Sequence, residues 1–347
     1  MQRTDKPKSP CTADQRRFLV NSFYVIILLF SCFGLHAQER YEFTHQQMGT
    51  QIRLVFYAKN KVGADVIASK AFDRIDELNN KLSDYLGHSE LNKLLDQAGK
   101  EVVVSDDLFK VLKKAVAISK ATEGAFDISV GPFVELWRTS RQNRILPSDA
   151  DLIKAKRYVG YQKISFPKKN VVQLNVSQMK LDLGGIGKGF TADEVIKVLE
   201  SNGVRSALVD MGGDIRVSNP PPSKDYWVLA FSYYNEKGDE VLKKIRLKNA
   251  AVATSGDLYQ FVEINGIRYS HIINPLTGMA LNNSIQVTTI ANNATEADAL
   301  SSAFSVMGIT ETTHLIKGKS NIAVFMVQKS KNTFKQWNSG NFPGMDN

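Results

Sequence analysis

Met179-Lys180-Leu181-Asp182-Leu183-Gly184-Gly185-Ile186-Gly187-Lys188-Gly189-Phe190, continuing as Thr191-Ala192-Asp193-Glu194-Val195-Ile196-Lys197-Val198-Leu199-Glu200-Ser201, is the stretch on which the architecture turns. Apolar and polar residues alternate over Met179–Leu183, the period of a strand. Four glycines within six residues then break the pattern, and Thr191–Ser201 has the spacing of a helix, stopped by Gly203. Strand, glycine turn and helix in succession set two periods that recur on both sides. Upstream, Gln51–Tyr57 alternates as a strand. Ile67, Ala71, Phe72, Ile75, Leu78 and Leu82 line one face of a helix. Ser105, followed by two aspartates, caps a second helix that buries Leu108, Val111, Leu112, Ala115 and Ile118. Thr139–Asp151 is polar, contains Pro147 and reads as a loop. Downstream, strands are predicted at Ala207–Val209, Tyr226–Phe231, Ala251–Ala253, Ile285–Ile290 and Ile322–Val327, with a helix over Thr295–Met307 ended by Gly308. No repeat or low-complexity tract interrupts this, so the chain reads as one α+β unit with mixed sheets and flanking helices.

The chain has 347 residues, 43% hydrophobic and 23% charged, which excludes collagen-like, disordered and multi-span membrane classes. Its two cysteines, Cys11 and Cys32, both lie near the amino terminus, so the body can hold neither a disulfide nor a thiolate metal site. Residues 1–17 are basic and lead into an apolar run from Phe18 to Phe30, the pattern of an export signal. Leu29-Phe30-Ser31-Cys32 resembles a lipobox, which would make Cys32 a lipid anchor. Cleavage after Ala37 would release a soluble chain instead, and an uncleaved anchor is a third reading. Removing residues 1–37 takes five basic and two acidic residues from a net +9 and leaves +6, too mild and too dispersed for nucleic acid. The expected organisation is an export signal over 1–37, a catalytic unit over 38–328 and a loose polar tail over 329–347.

Familiar templates are absent. The glycine cluster lacks dinucleotide-fingerprint spacing, and Gly189 stands where a P-loop needs Ser or Thr. There is no paired-histidine zinc helix and no Gly-x-Ser-x-Gly elbow. The glycines either let backbone approach a phosphate at a helix start or form a tight packing turn. Asp298 and Ser302 share a helix face and offer hard oxygen ligands suited to Mg²⁺, although the acid could serve the helix dipole and the serine could simply pack. His271, in Tyr269–Gly278 beside an Asn-Pro turn, is the histidine best placed for proton transfer, against an ordinary structural role. Glu123–Ser129, Val209–Asp214 and Thr254–Asp257 are small-residue turns whose acids default to capping.

In order, Met48-Gly49-Thr50, Ser83-Asp84-Tyr85 with Ser89-Glu90-Leu91, Gly124–Pro132 with Trp137, Leu181–Phe190, Gly212-Gly213-Asp214-Ile215, Ala253–Asp257, Tyr269–Gly278 and Ala297–Ala303 resemble the ApbE family of FAD:protein FMN transferases, formerly called thiamine biosynthesis lipoproteins. The resemblance runs from Met48 to about Gly308. It implies a magnesium-dependent enzyme, with FAD in a cleft between sheets and helices, that moves FMN from FAD to a Ser or Thr hydroxyl of another protein and releases AMP. It implies FAD contacts at Met48, Tyr85, Ala125, Phe126, Asp127, Asp182, Lys188 and Ile272. It further implies a metal on the Gly185 carbonyl, Asp298 and Ser302, and His271 as general base. The implied partners are exported or membrane-anchored flavoprotein subunits of electron-transport complexes, and the implied location is the periplasmic side of the inner membrane. FAD hydrolysis to FMN and AMP, or flavin binding without turnover, are the alternatives. Three positions depart from the family pattern: Ser302 for Thr, Asn274 for Asp, and Gly187 for Ala.

Overall fold

The alternating run around Gln51–Tyr57 forms β2 (Thr50–Ala58), paired antiparallel with β1 (Glu39–Gln47). The computed structural model describes residues 38–256, 261–330 and 333–344. The export-signal reading of residues 1–37, with Cys11 and Cys32, lies outside the described residues, as does Asp257. In β2, Ile52, Leu54 and Phe56 bury on one side and Val55 on the other, so this strand has a core on each face.

β2 belongs to an eight-stranded sheet ordered β1, β2, β6 (Ala207–Asp210), β7 (Ile215–Val217), β10 (Ala250–Gly256), β13 (Ile285–Ala291), β14 (Ala323–Ser330) and β15 (Thr333–Asn338). The α+β class is as expected. Strand pairing, however, is of one kind and not mixed: every described pairing in this sheet is antiparallel. One face carries α1 (Lys61–Leu82), α6 (Gly187–Ser201) and the first half of α7 (Ala294–Ile316). There Ala68, Ala71, Ile75, Val195, Leu199 and Ala297 pack on Ile52, Leu54, Val209 and Ala253. The other face is covered by a hairpin of β8 (Trp227–Tyr234) and β9 (Glu240–Leu247), whose Trp227, Leu229, Phe231 and Tyr233 meet Val55, Val217, Ile290 and Phe325. All seven residues of β13 are buried, as two covered faces require.

Two satellites complete the fold. In one, α2 (Glu90–Leu95), α3 (Asp106–Ala121) and a small sheet of β3 (Glu101–Val103), β5 (Val171–Leu174) and β4 (Ile164–Ser165) enclose Leu108, Leu112, Val172 and Phe304. Ser105 caps α3 as expected, its Oγ accepting from Leu108 N at 3.2 Å. In the other, α4 (Gly131–Asn143) and α5 (Asp149–Lys156) pack on β11 (Phe261–Ile264) and β12 (Ile267–Ser270) around Phe133, Trp137 and Tyr269.

Four local expectations need correction. Met179–Leu183 joins no strand: Met179, Leu181 and Leu183 are buried, but Asp182 N donates to Ile128 O at 2.7 Å, in a 3-10 turn and not a ladder. Thr139–Asp151 is mostly helical, because α4 runs to Asn143 and Ser148 caps α5 by accepting from Asp151 N at 3.1 Å. The helix expected to stop at Gly308 breaks there, at φ 74°, and resumes to Ile316. β13 and β14 are antiparallel neighbours, so their connection has to turn back, and a straight helix cannot. The tail is not loose throughout: β15 pairs with β14, with Phe334 and Trp337 packed against the cores.

The helical layer is pinned by charge. Arg74 of α1 donates to Asp107 at 2.9 and 2.6 Å and to Glu194 of α6 at 2.9 Å, and Lys81 reaches Asp107 at 2.7 Å. Burial alone would raise the Asp107 carboxyl, but the bonds from Arg74 and Lys81 outweigh it and hold it at about 2. A depressed carboxyl stabilises the fold above the ordinary value near 4, and that contribution is lost as pH falls toward 2. Urea unfolding of the native protein should lose about 2 kcal/mol more over this interval than that of Asp107→Asn. Equal acid limbs for the two proteins would refute the assignment.

Candidate active site

α6 starts inside the glycine cluster, at Gly187 and not at Thr191, with Gly187 N donating to Leu183 O at 2.7 Å and Phe190 N to Ile186 O at 2.9 Å. This start brings α6 against α7. A Cβ on Gly189 would lie 2.2 Å from the Ala294 carbonyl oxygen and 2.8 Å from the Asp298 Cβ, so only glycine permits the crossing. The freed backbone is used: Gly189 N donates to Asp298 Oδ2 at 3.0 Å. A Cβ on Gly185 would likewise lie 3.1 Å from Ser302 Oγ and 3.4 Å from the Phe126 ring. The glycines are thus packing residues that also press backbone onto Asp298 and Ser302.

Lys188 pairs with Asp214, which is buried in the turn between β6 and β7. Gly212 in that turn, at φ 78°, sits on Thr50 so closely that a Cβ would collide with its hydroxyl. Burial would lower the Lys188 ammonium, but Asp214 and Asp298 outweigh this and keep it charged. The Asp298 carboxyl, 3% exposed, is held well above the usual carboxylate range by burial, with the Asp214 charge adding and Lys188 opposing. Its Oδ1 accepts no hydrogen bond among the described residues. The described residues contain no group of three His, Cys, Asp or Glu side chains placed for a metal. A cation here would therefore draw on hydroxyl and carbonyl oxygens beside Asp298. A carboxylate oxygen with no partner among the described residues, a hydroxyl and a backbone carbonyl would suit a hard cation such as Mg²⁺.

Beside this centre, Ala125 and Phe126 are buried on a loop fastened by Asp127. Its Oδ1 accepts from Ser129 N at 2.8 Å and Ser129 Oγ at 2.7 Å, and its Oδ2 from Tyr161 N at 2.8 Å. Burial raises this carboxyl, with those bonds opposing. Tyr85, 79% exposed, stacks under Arg138 at 4.5 Å. Arg138 also pairs with Asp84 and lies 4.0 Å from Asp182. Asp182, raised chiefly by burial and then by Asp84, accepts from Gly184 N at 2.7 Å. A cavity of about 730 Å³ runs along Asp84, Arg138, Tyr158, Met179 and Asp182. Nothing in the sequence marks Arg138, because a lone arginine on a helix carries no motif. Met48 occupies the β1–β2 turn at φ 50°.

His271 is exposed, just past β12, followed by buried Ile272. The turn behind it is rigidly held. Lys156 Nζ donates to Pro275 O at 2.9 Å and Leu276 O at 2.8 Å, and Trp137 Nε1 donates to Gly278 O at 2.9 Å. Asn274 Oδ1 accepts from Leu276 N at 2.9 Å, a bond that either an amide or a carboxylate makes, so an acid here would hold the turn equally well.

With this geometry in view, the chain can be placed: it belongs to the ApbE family, whose profile matches residues 48–326. It is 30% identical to the FAD:protein FMN transferase of Vibrio cholerae, over 85% of this chain and 89% of that protein. A FAD:protein FMN transferase of Haemophilus influenzae is also 30% identical, over 85% and 88%. Among solved structures, the flavin transferase ApbE from Vibrio cholerae superposes with TM-score 0.80 at 28% identity, covering 88% of this chain and 98% of that one. Pseudomonas stutzeri flavinyl transferase ApbE superposes with TM-score 0.79 at 25% identity, covering 89% and 97%.

The Gly189 contact makes a direct prediction. Gly189→Ala should lose about 1–3 kcal/mol in urea unfolding, because the new methyl must separate two helices. Gly187→Ala, whose Cβ meets nothing closer than Leu183 Cβ at 3.8 Å, should stay within about 1 kcal/mol of native. Equal costs at the two positions would show that the crossing is not limiting.

Proposed function

We propose that this chain transfers the FMN half of FAD to a Ser or Thr hydroxyl of an acceptor flavoprotein and releases AMP. The observation that carries the reading is the meeting, within a family match spanning most of the chain, of Gly185, Asp298 and Ser302 at the α6–α7 crossing with Lys188 alongside. Mg²⁺ bound by the Gly185 carbonyl, Asp298 and Ser302 would neutralise the pyrophosphate and polarise its oxygens. Lys188, kept protonated by its carboxylate neighbours, adds a fixed positive charge. Phe126, Ala125 and Ile272 offer apolar walls, and the exposed Tyr85 ring, braced by Arg138, offers a stacking surface. Met48, Asp127 and Asp182 shape the surrounding loops. The acceptor oxygen attacks the FMN phosphorus while the bond to AMP breaks, and His271 accepts the hydroxyl proton.

The basic start and apolar run of residues 1–37 support export to the periplasmic side of the inner membrane, lipid-anchored at Cys32 or soluble after cleavage behind Ala37. A body without cysteine suits an oxidising compartment. Exported or membrane-anchored flavoprotein subunits of electron-transport complexes are the matching acceptors. No helix among the described residues is long and apolar enough to cross a membrane.

Incubation with FAD, Mg²⁺ and a flavin-accepting protein should give a fluorescent band that survives denaturation, and failure with a competent acceptor would overturn the proposal. FMN and AMP released without an acceptor would favour hydrolysis instead, and FAD retained without any product would favour a binding protein. His271→Ala should keep FAD affinity and slow transfer by about 10²–10⁴-fold. Unchanged transfer would remove His271 from the chemistry.

A further inference from the structure

Ser255, Ser301 and Ser302 converge beside the α6–α7 crossing. Ser301 and Ser305 turn their hydroxyls onto their own helix, Ser301 Oγ donating to Asp298 O at 2.8 Å and Ser305 Oγ to Ser301 O at 2.9 Å. Ser302 makes no such bond. Its one described hydrogen bond crosses to β10, where Ser255 Oγ lies 3.3 Å away, and Ser255 Oγ is in turn 2.6 Å from Ser301 Oγ.

One donor order satisfies all three contacts at once. A carbonyl oxygen only accepts, so the Ser301 hydroxyl proton is committed to Asp298 O. Ser301 Oγ can then only accept from Ser255, whose single proton is thereby used. Ser255 Oγ can therefore only accept from Ser302. In that order the Ser302 proton is spent on β10 and its lone pairs remain for a ligand, with Gly185 close by: a Cβ there would lie 3.1 Å from Ser302 Oγ. A serine in a helix lacks the methyl with which threonine restricts χ1, so Ser302 needs another restraint.

We propose that Ser255 is a positioning residue that orients Ser302, so that the Ser302 oxygen presents its lone pairs to a divalent cation. This rests on the reading of Gly185, Asp298 and Ser302 as cation ligands. Ser255 does not touch the cation; it supplies the rotamer restriction that a threonine methyl would give. The relay also accounts for Ser301, which anchors the proton order although it is fully buried.

The test is a Mn²⁺ titration of the whole protein, with and without FAD, reading free Mn²⁺ by its EPR signal. Ser255→Ala should weaken Mn²⁺ binding about 10-fold, in the range for residues that orient a metal ligand. Ser255→Thr, which keeps the hydroxyl, should bind as the native protein does. In a Ser302→Thr background, Ser255→Ala should cost less than about twofold, because the methyl restores the restriction. Native affinity in Ser255→Ala would overturn the proposal, as would equal losses in Ser255→Ala and Ser255→Thr, which would point to disturbed packing. Asp298→Ala separates the two levels of the argument. If it abolishes binding while Ser255→Ala does not weaken it, only the role of Ser255 fails. If Asp298→Ala binds normally, the cation reading itself fails.

Discussion

The crossing of α6 over α7 at Gly189 is the constraint on which the site depends. With no side chain at that position, one helix backbone rests on the Ala294 carbonyl of the other, and the Gly189 amide reaches the Asp298 carboxylate. Three consequences follow from this contact. The start of α6 lies beside the first turns of α7, Gly185 comes up against Ser302, and Lys188 leaves α6 toward Asp214. The alanines lining both helices and the strands beneath them extend the same close approach to the sheet. Packing and site geometry are one arrangement here, so a change that loosens the first degrades the second.

The electrostatics of the centre are unbalanced by design. Lys188 is surrounded by Asp214, Asp298 and Asp210, and its charge is already committed to Asp214. A pyrophosphate brought against this set adds further negative charge that one ammonium cannot offset. The raised Asp298 carboxyl expresses that imbalance, since burial and Asp214 both disfavour its ionised form. Extra positive charge is what the site lacks, and oxygen ligands are what it offers.

Much of this was legible in the chain. The major helices and the central strands follow from period alone, and Ser105 caps its helix as its side chain dictates. Met179–Leu183 misled because alternation reports which residues are buried and not what the backbone bonds to. The glycine cluster left two readings open, since the clash that decides between them involves Ala294, over a hundred residues away. Asp127 carried a turn signal, yet its bond to Tyr161 required the fold. Arg138 and Lys156 act through partners distant in sequence, and no local pattern marks them. β15 was read as loose tail because an edge strand that buries only part of one face looks polar.

The order of strands across the large sheet, β1 to β15 with the excursions set aside, repeats their order along the chain. A polypeptide emerging from its amino terminus can therefore lay each new strand on the edge left by the last, and no strand has to be inserted between two already paired. Every intermediate on such a route exposes its growing edge as well as β1, and the growing edge that is buried along its whole length in the finished sheet is β13 before β14 arrives. The helix that follows β13 carries Asp298 and Ser302, so the interval in which this edge stands open is also the interval in which the site is built. Assembly of the site and closure of the growing edge are thus coupled in time, and a delay in one prolongs the vulnerability of the other to self-association.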